Sequence, residues 1–292
     1  MIIVTGATGK LGHQIVESLL THVPADRVGV SVRDPQKARD LADRGVRVRQ
    51  GSFSDAAGLA HAFEGASQVL IVSVDKMGSD AVRQHHAAIE GAIAAGARRI
   101  LYTSHMGASA TSHFEPCRDH AATEEALRTC GVPYTALRNG FYATSALQFL
   151  GHGLESGEAE LPADGPVSWT AHADLADAAA AVLADEGRFD GPTPPLTAAQ
   201  ALTFEDITGI ATEALGRIVK RITTPDGAFR KQLVGHGVPA EAADQLLGVF
   251  TASRAGEFAT VDPTLADLIG REPTSLSRVL REHLGDNRST PV

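Results

Sequence analysis

Three glycines, Gly6, Gly9 and Gly12, stand in the segment "VTGATGKLG", directly after an apolar run and at the start of a helical pattern. Glycines in this setting suit one kind of chemistry, the binding of a pyrophosphate. Gly6 permits a tight turn, Gly9 lets the backbone approach the phosphates, and Gly12 lets the following helix pack on the sheet. The free N–H groups at the helix start attract the anion. The plainer reading is a glycine-rich turn without a ligand, and the position between strand and helix argues against it.

The next chemistry-bearing stretch is "VSVRDPQKAR", at the end of the second β-rich run. An acidic residue here would bind the 2′-hydroxyl of NAD, whereas a cation would meet the 2′-phosphate of NADP. Arg33 stands at the strand end and Lys37 about one turn further on, so NADPH is the expected cofactor. Asp34 before Pro35 reads as a helix N-cap. In "RQGSFSD", Ser52 and Phe53 could wrap the adenine, and Asp55 reads as the cap of the next helix. Ser73 and Ser104 fall at the carboxyl ends of later strands, where open α/β sheets bind ligands. They are candidates for the cofactor's ribose and the substrate, or each satisfies a local backbone group.

These residues need a scaffold, and the pattern around them supplies one. Ile2–Thr5, Val28–Val32, Val46–Arg49, Val69–Val74, Ile100–Thr103 and Tyr134–Leu137 read as strands alternating with helical segments. Short connections of this kind require parallel pairing and right-handed crossovers, hence a doubly wound α/β sheet. Nearly continuous apolar runs such as "QVLIVSV" mark strands buried on both faces. After about Ala143 the alternation weakens through "GLESGEAELPADGP". The expected division is an NADP-binding unit over 1–155 and a smaller, mainly helical substrate unit over 156–292. A helix over about 172–186 should pack back onto the first unit. Further helices are expected at Phe204–Leu215, Gly227–Val234, Ala240–Ala252 and Thr274–Leu284, with a strand near Ile218–Ile222.

Composition narrows the partners. With 292 residues, 43% of them hydrophobic, the chain can bury a sizeable core. A net charge of −9 and the lack of a Lys/Arg run argue against nucleic acid or an anionic membrane and for a small molecule. Cys117 and Cys130 have neither C-x-x-C nor zinc-type spacing, so neither a disulfide framework nor a metal is expected. No basic leader precedes the first apolar residues, and no apolar run reaches the roughly 18 residues of a membrane span. A cytoplasmic protein starting at Met1 is the expectation.

The segments "TGATGKLG", "VRDPQKA", "YTS", "HAATEEAL" and "LRNGFY" together resemble the atypical short-chain dehydrogenase/reductases of the NmrA-like branch. Within it, the chain is most similar to bacterial type 2 NAD(P)H:quinone oxidoreductases. The resemblance covers nearly the whole sequence. It implies a Rossmann domain, a small C-terminal substrate domain and a cleft between them. It also implies cofactor contacts at Gly6, Thr8, Gly9, Lys10, Leu11 and Arg33, with Asn139, Phe141 and Tyr142 lining the nicotinamide and substrate region. Two positions depart from the family pattern. Ser52 replaces an Asp on the adenine side, and Glu125 stands where a Lys frequently follows the Glu.

The Tyr-x-x-x-Lys couple that does the proton work in many dehydrogenases is absent. Tyr102, Tyr134 and Tyr142 are followed four residues on by Met106, Arg138 and Ala146. His120 and Glu124 share a helix face and could form an acid/base pair, the bland alternative being a solvated helix. The reaction decides whether the absence matters. Ketone reduction leaves an alkoxide, comparable in basicity to hydroxide from water at about 15.7. Quinone reduction leaves a phenolate-like oxygen near 10. That difference, about 6 pH units, is about 8 kcal/mol of anion stability. A quinone can accept hydride with only positioning and donors, for which Tyr142, Asn139 and His120 are candidates and Phe141 a wall. The expectation is an NADPH-dependent reductase of quinone-like acceptors, without flavin and with a homodimer as one option. The alternatives are a dinucleotide-binding redox sensor that engages a protein partner, and a reductase or isomerase of a biosynthetic pathway.

Overall fold

Residues 1–288 are described by a computed structural model of the chain. The first half runs β1 (Ile2–Thr5), α1 (Lys10–Leu19), β2 (Val28–Val32), α2 (Arg39–Asp43), β3 (Arg47–Gln50), α3 (Ala56–Phe63), β4 (Gln68–Ile71), α4 (Gly78–Ala94), β5 (Arg99–His105), α5 (Glu115–Thr129) and β6 (Tyr134–Asn139). There follow β7 (Phe141–Tyr142), α6 (Ala143–Leu150), α7 (Gly153–Ser156), β8 (Glu158–Leu161), β9 (Trp169–Thr170), α8 (His172–Ala184) and β10 (Gly191–Pro192). The chain ends with α9 (Phe204–Leu215), β11 (Lys220–Thr223), α10 (Asp226–Gly235), α11 (Ala240–Arg254), α12 (Thr264–Ile269) and α13 (Leu276–Arg288).

The central sheet has seven strands in the order β10-β6-β5-β4-β1-β2-β3, each parallel to its neighbours. The chain builds outward from β1 through β2 and β3. It then returns to lay β4 on the other side of β1, which creates a crevice at their carboxyl ends. Consecutive strand residues supply opposite faces. Val4, Leu70 and Leu101 pack with α1 and α8 on one face. Ile3, Val69 and Ile100 pack with α3, α4 and α5 on the other. A third core joins α6, α9, α10 and α11 around Trp169, Phe204, Phe250 and Phe258.

Local sequence explains the elements nearest the crevice. Gly6 has φ +63, a left-handed conformation that glycine adopts without strain. Gly12 has no room for a side chain, because a Cβ there would lie 2.3 Å from the Gly6 carbonyl oxygen. Asp34 accepts the Gln36 N–H at 3.0 Å, as its cap position requires, although the segment begins as a 3-10 turn over Pro35–Ala38 before α2. Asp55 caps α3 through the Gly58 N–H at 3.1 Å.

Several expected boundaries move. β4 stops at Ile71 rather than Val74, because side chains take over its amides. Val72 N–H donates to Thr5 Oγ1 (2.9 Å), Ser73 N–H to Thr103 Oγ1 (2.8 Å) and Val74 N–H to His85 Nε2 (3.1 Å). The last helix starts at Leu276, since the Thr274 N–H and hydroxyl are held by the buried Asp174 at 2.5 and 3.0 Å. The acid- and glycine-rich stretch also holds a strand, β8, which pairs in parallel with β11.

Candidate functional site

A cleft of about 590 Å3 opens at the carboxyl ends of β1, β2 and β4. Of the residues expected to hold a cofactor, it brings together Gly6, Thr8, Gly9, Lys10, Leu11, Gly12, Arg33, Ser52, Phe53 and Ser73, with Tyr142 at its wall. At the start of α1 the N-cap is Gly9, with no side-chain cap and no acid in the first turn. The helix therefore offers its first amides and its positive end to an anion. None of the ion pairs among the described residues uses Lys10 or Arg33, so both charges remain available in the cleft. A donor-rich, cationic cradle with an aromatic wall at Phe53 fits a dinucleotide phosphate.

A second cavity of about 580 Å3 adjoins the first and shares Lys10 and His172 with it. Its own cations are engaged. Arg271 holds Asp174 at 2.6 Å and Asp177 at 2.9 Å, and Arg278 holds Glu282 at 2.8 Å. The cleft with Arg33 is thus the better host for a polyanion.

Other expected site residues do not reach the cleft. Lys37 is exposed outside it, on the 3-10 turn. Ser104 is buried and donates its hydroxyl to Glu124 Oε1 at 2.6 Å, so it is spent on a neighbour within the fold. Asn139 is buried at the end of β6, where its carbonyl accepts the Met106 N–H at 2.8 Å. Phe141, only 8% exposed, packs edge-on against Trp169, Phe258 and His105 with centroids 5.2–5.3 Å apart. It belongs to the third core, while Tyr142, the next residue, faces the cleft.

The His120–Glu124 couple is not formed. Glu124 is buried and gripped by Arg138 through two contacts, at 2.7 and 3.1 Å. His120 Nδ1 lies 2.7 Å from the Tyr102 hydroxyl. The helix face is therefore a packed one rather than a solvated one. Glu125 is exposed and paired with Arg128 at 2.5 Å, which neutralises its charge locally.

Burial sets the protonation of the groups at the wall. It pushes the Tyr142 phenol up to about 12, partly offset by a hydrogen bond from the Asn139 side chain. It lowers His172 to about 4, helped by the Lys10 charge, and the two rings lie 4.2 Å apart at 35°. His85 and His105 are each lowered to about 4 by desolvation, and His120 falls well below 6.5 for the same reason. Near neutral pH the site holds a protonated phenol and neutral imidazoles.

Sequence reasoning missed His172, Lys76 and His85. Lys76 follows β4 and lines the cleft, where its ammonium pairs with Asp80 at 2.9 Å. A cation just past a strand's carboxyl end was a readable signal. Nothing in local periodicity marks His172 or His85, because each acts through contacts distant in sequence.

A model of the NmrA-like family matches residues 1–280. The chain is 36% identical over 281 residues to Quinone oxidoreductase 2 of Escherichia coli (strain K12), covering 95% of this chain and 96% of that protein. Among solved structures, an NADPH-dependent quinone oxidoreductase of Escherichia coli complexed with NADPH superposes with a TM-score of 0.90 at 34% identity, covering 98% and 100% of the two chains. A triphenylmethane reductase of Citrobacter sp. complexed with NADP(H) gives 0.88 at 34% identity, covering 97% and 99%.

Proposed function

The chain belongs to the NmrA-like family, and on that premise we propose that it is an NADPH-dependent reductase of quinone-like acceptors. The observation that carries this reading is a single cleft with unspent cations and helix-start amides along its phosphate-binding part and a protonated phenol at its wall.

Lys10 and the first amides of α1 would hold the pyrophosphate, and Arg33 the 2′-phosphate. Phe53 and Ser52 would border the adenine, and Ser73 the ribose. When bound, NADPH supplies a hydride. The chain's own residues position the acceptor and stabilise the charge it gains. Tyr142 keeps its proton at neutral pH, because burial holds its pKa at about 12. It can therefore donate a hydrogen bond to an oxygen that becomes negative. Asn139 steadies the phenol from behind. A phenolate-like product lies about 8 kcal/mol below an alkoxide in basicity, so the reaction needs donors rather than a Tyr–Lys couple.

A second reading, a dinucleotide-binding sensor, draws on one observation: Asn139, Phe141 and His120 stand behind the cleft rather than on its surface. The two readings part in an assay of NADPH oxidation by the purified protein against a panel of quinones. Sustained turnover supports the reductase. Tight NADPH binding without turnover of any acceptor replaces it with the sensor.

A further inference from the structure

Gln14 Oε1 and His172 Nδ1 are buried without a hydrogen-bond partner, and both residues line the second cavity, of about 580 Å3. A buried polar atom left unpaired costs stability, and folds keep few of them. Among the described residues only one other side-chain atom shares this condition, His105 Nε2 beside the Phe141 and Phe258 rings. Gln14 and His172 are only partly buried as residues, and the last torsions of Gln and His side chains are soft. Small turns therefore bring both atoms to a molecule in the cavity.

The elements that form the cavity place it next to the proposed reacting centre. Lys10 and Gln14 stand four residues apart on one face of α1. Tyr142 lines the cofactor cleft, whereas Ala143 and Thr144, the first residues of α6, line the cavity. The His172 ring, at the start of α8, lies 4.2 Å from the Tyr142 ring and lines both spaces. The cavity thus begins where the Tyr142 wall of the cleft ends. Segment 271–275 forms another wall and is held in place, because the fully buried Asp174 accepts from Arg271 at 2.6 Å and from the Thr274 N–H at 2.5 Å.

The lining selects a kind of ligand. It holds no aromatic ring besides the His172 imidazole, so it does not suit the ring that is reduced. Arg271 and Arg278 are paired with carboxylates, so it does not suit a polyanion. What it offers is hydrogen bonds of both senses. The Gln14 oxygen accepts, while α6 and α8 both start at the cavity without a side-chain cap and present amides that donate. His172, neutral near pH 7, does either according to its tautomer. A hydroxyl is the group that both donates and accepts.

We propose that the second cavity binds a hydroxyl-bearing side chain of the acceptor through Gln14 Oε1 and His172 Nδ1, while the ring that is reduced lies in the cleft against Tyr142. The inference rests on the reductase reading and adds to it a specificity determinant away from the reacting atoms. The side chain takes no part in hydride transfer. It fixes where the ring lies.

The probes are alkyl-substituted naphthoquinones of several chain lengths, each paired with a compound of equal length whose terminal methyl is replaced by a hydroxyl. At the best-fitting length the wild type should favour the hydroxyl member about 10-fold in kcat/KM, through KM rather than kcat. A purely apolar pocket would give the opposite order, because a methyl costs less to desolvate. Gln14→Met keeps the length of the side chain and removes its oxygen. It should abolish the preference and leave NADPH affinity and turnover of the alkyl member unchanged. If the preference survives Gln14→Met, the proposal is wrong. If the variant loses NADPH affinity instead, the cavity belongs to the cofactor and the proposal is again wrong. The wild-type comparison does not depend on the variant folding: equal rates, or the alkyl member preferred at every length, overturn the proposal. A wild type that reduces no quinone overturns the reductase reading and this inference with it, whereas turnover of the alkyl members without a hydroxyl preference overturns the inference alone.

Discussion

The Tyr102 hydroxyl lies 2.7 Å from His120 Nδ1, and the contacts around it fix which group donates. Val74 N–H donates to His85 Nε2, so His85 carries its proton on Nδ1 and directs it at Thr123 Oγ1, 3.0 Å away. His120 Nδ1 is then the acceptor for the Tyr102 proton, and both imidazoles are neutral in the fold.

This arrangement makes the fold acid-sensitive. His85, His105 and His172 are held at about 4, against 6.5 when unfolded. Between those values the unfolded chain binds more protons, so stability is full above about 6.5 and is lost as the pH falls toward 4. Each such group removes about 2 kcal/mol between pH 7 and pH 5. Urea unfolding at the two pH values should show a large loss, and His85→Gln should reduce it. A flat profile from pH 7 to pH 5 would contradict neutral, desolvated imidazoles at these three positions.

Arg33 lines the cleft with its charge unspent, whereas Lys37 is exposed and is not part of the lining. Arg33→Ala should cost NADPH about 10- to 100-fold in affinity, the size of one or two charge-assisted hydrogen bonds, and leave NADH binding nearly unchanged. Lys37→Ala should do little. Fluorescence titration of both dinucleotides checks this, and equal wild-type affinities would remove the basis for an NADP preference.

The glycine loop predicts two different failures. A Cβ on Gly12 would lie 2.3 Å from the Gly6 carbonyl oxygen, so Gly12→Ala should lower Tm as well as cofactor binding. A Cβ on Gly9 meets the same oxygen at 3.3 Å, a contact the loop can relieve. Gly9→Val should therefore leave a folded protein whose larger side chain blocks the phosphates. Normal dinucleotide affinity in Gly9→Val would mean that the loop is only a turn.

Adjacent residues at the end of β7 should also separate. Tyr142→Phe removes one donor and should lower kcat about 10- to 100-fold, with NADPH affinity and Tm nearly unchanged. Phe141→Ala truncates a buried aromatic and should cost about 3–5 kcal/mol of stability. Steady-state kinetics and thermal unfolding of the two variants distinguish a site residue from a core residue.

What the sequence reveals follows the range of the interactions. The sheet was legible because β1 and β4 carry their burial in nearly continuous apolar runs, and the phosphate loop because its glycines act within a few residues of one another. The alternative of a solvated helix at His120 and Glu124 failed because their partners, Tyr102 and Arg138, are on neighbouring strands that no helical spacing reveals. Ser104 was misplaced for the same reason, since its hydroxyl turns to Glu124 across the sheet's face. The end of β4 was invisible because three side chains from other elements, rather than a turn sequence, stop its ladder.

On the proposed reading, NADPH held in the Arg33–Tyr142 cleft reduces a quinone directly. The most direct test is a single-turnover experiment in which the purified protein–NADPH complex is mixed with a naphthoquinone, using ordinary NADPH and NADPH deuterated at the transferred C4 position. Bound NADPH should be consumed in one phase, hydroquinone should form in equal amount, and deuterium should slow that phase. Bound NADPH that survives every quinone tested would contradict it.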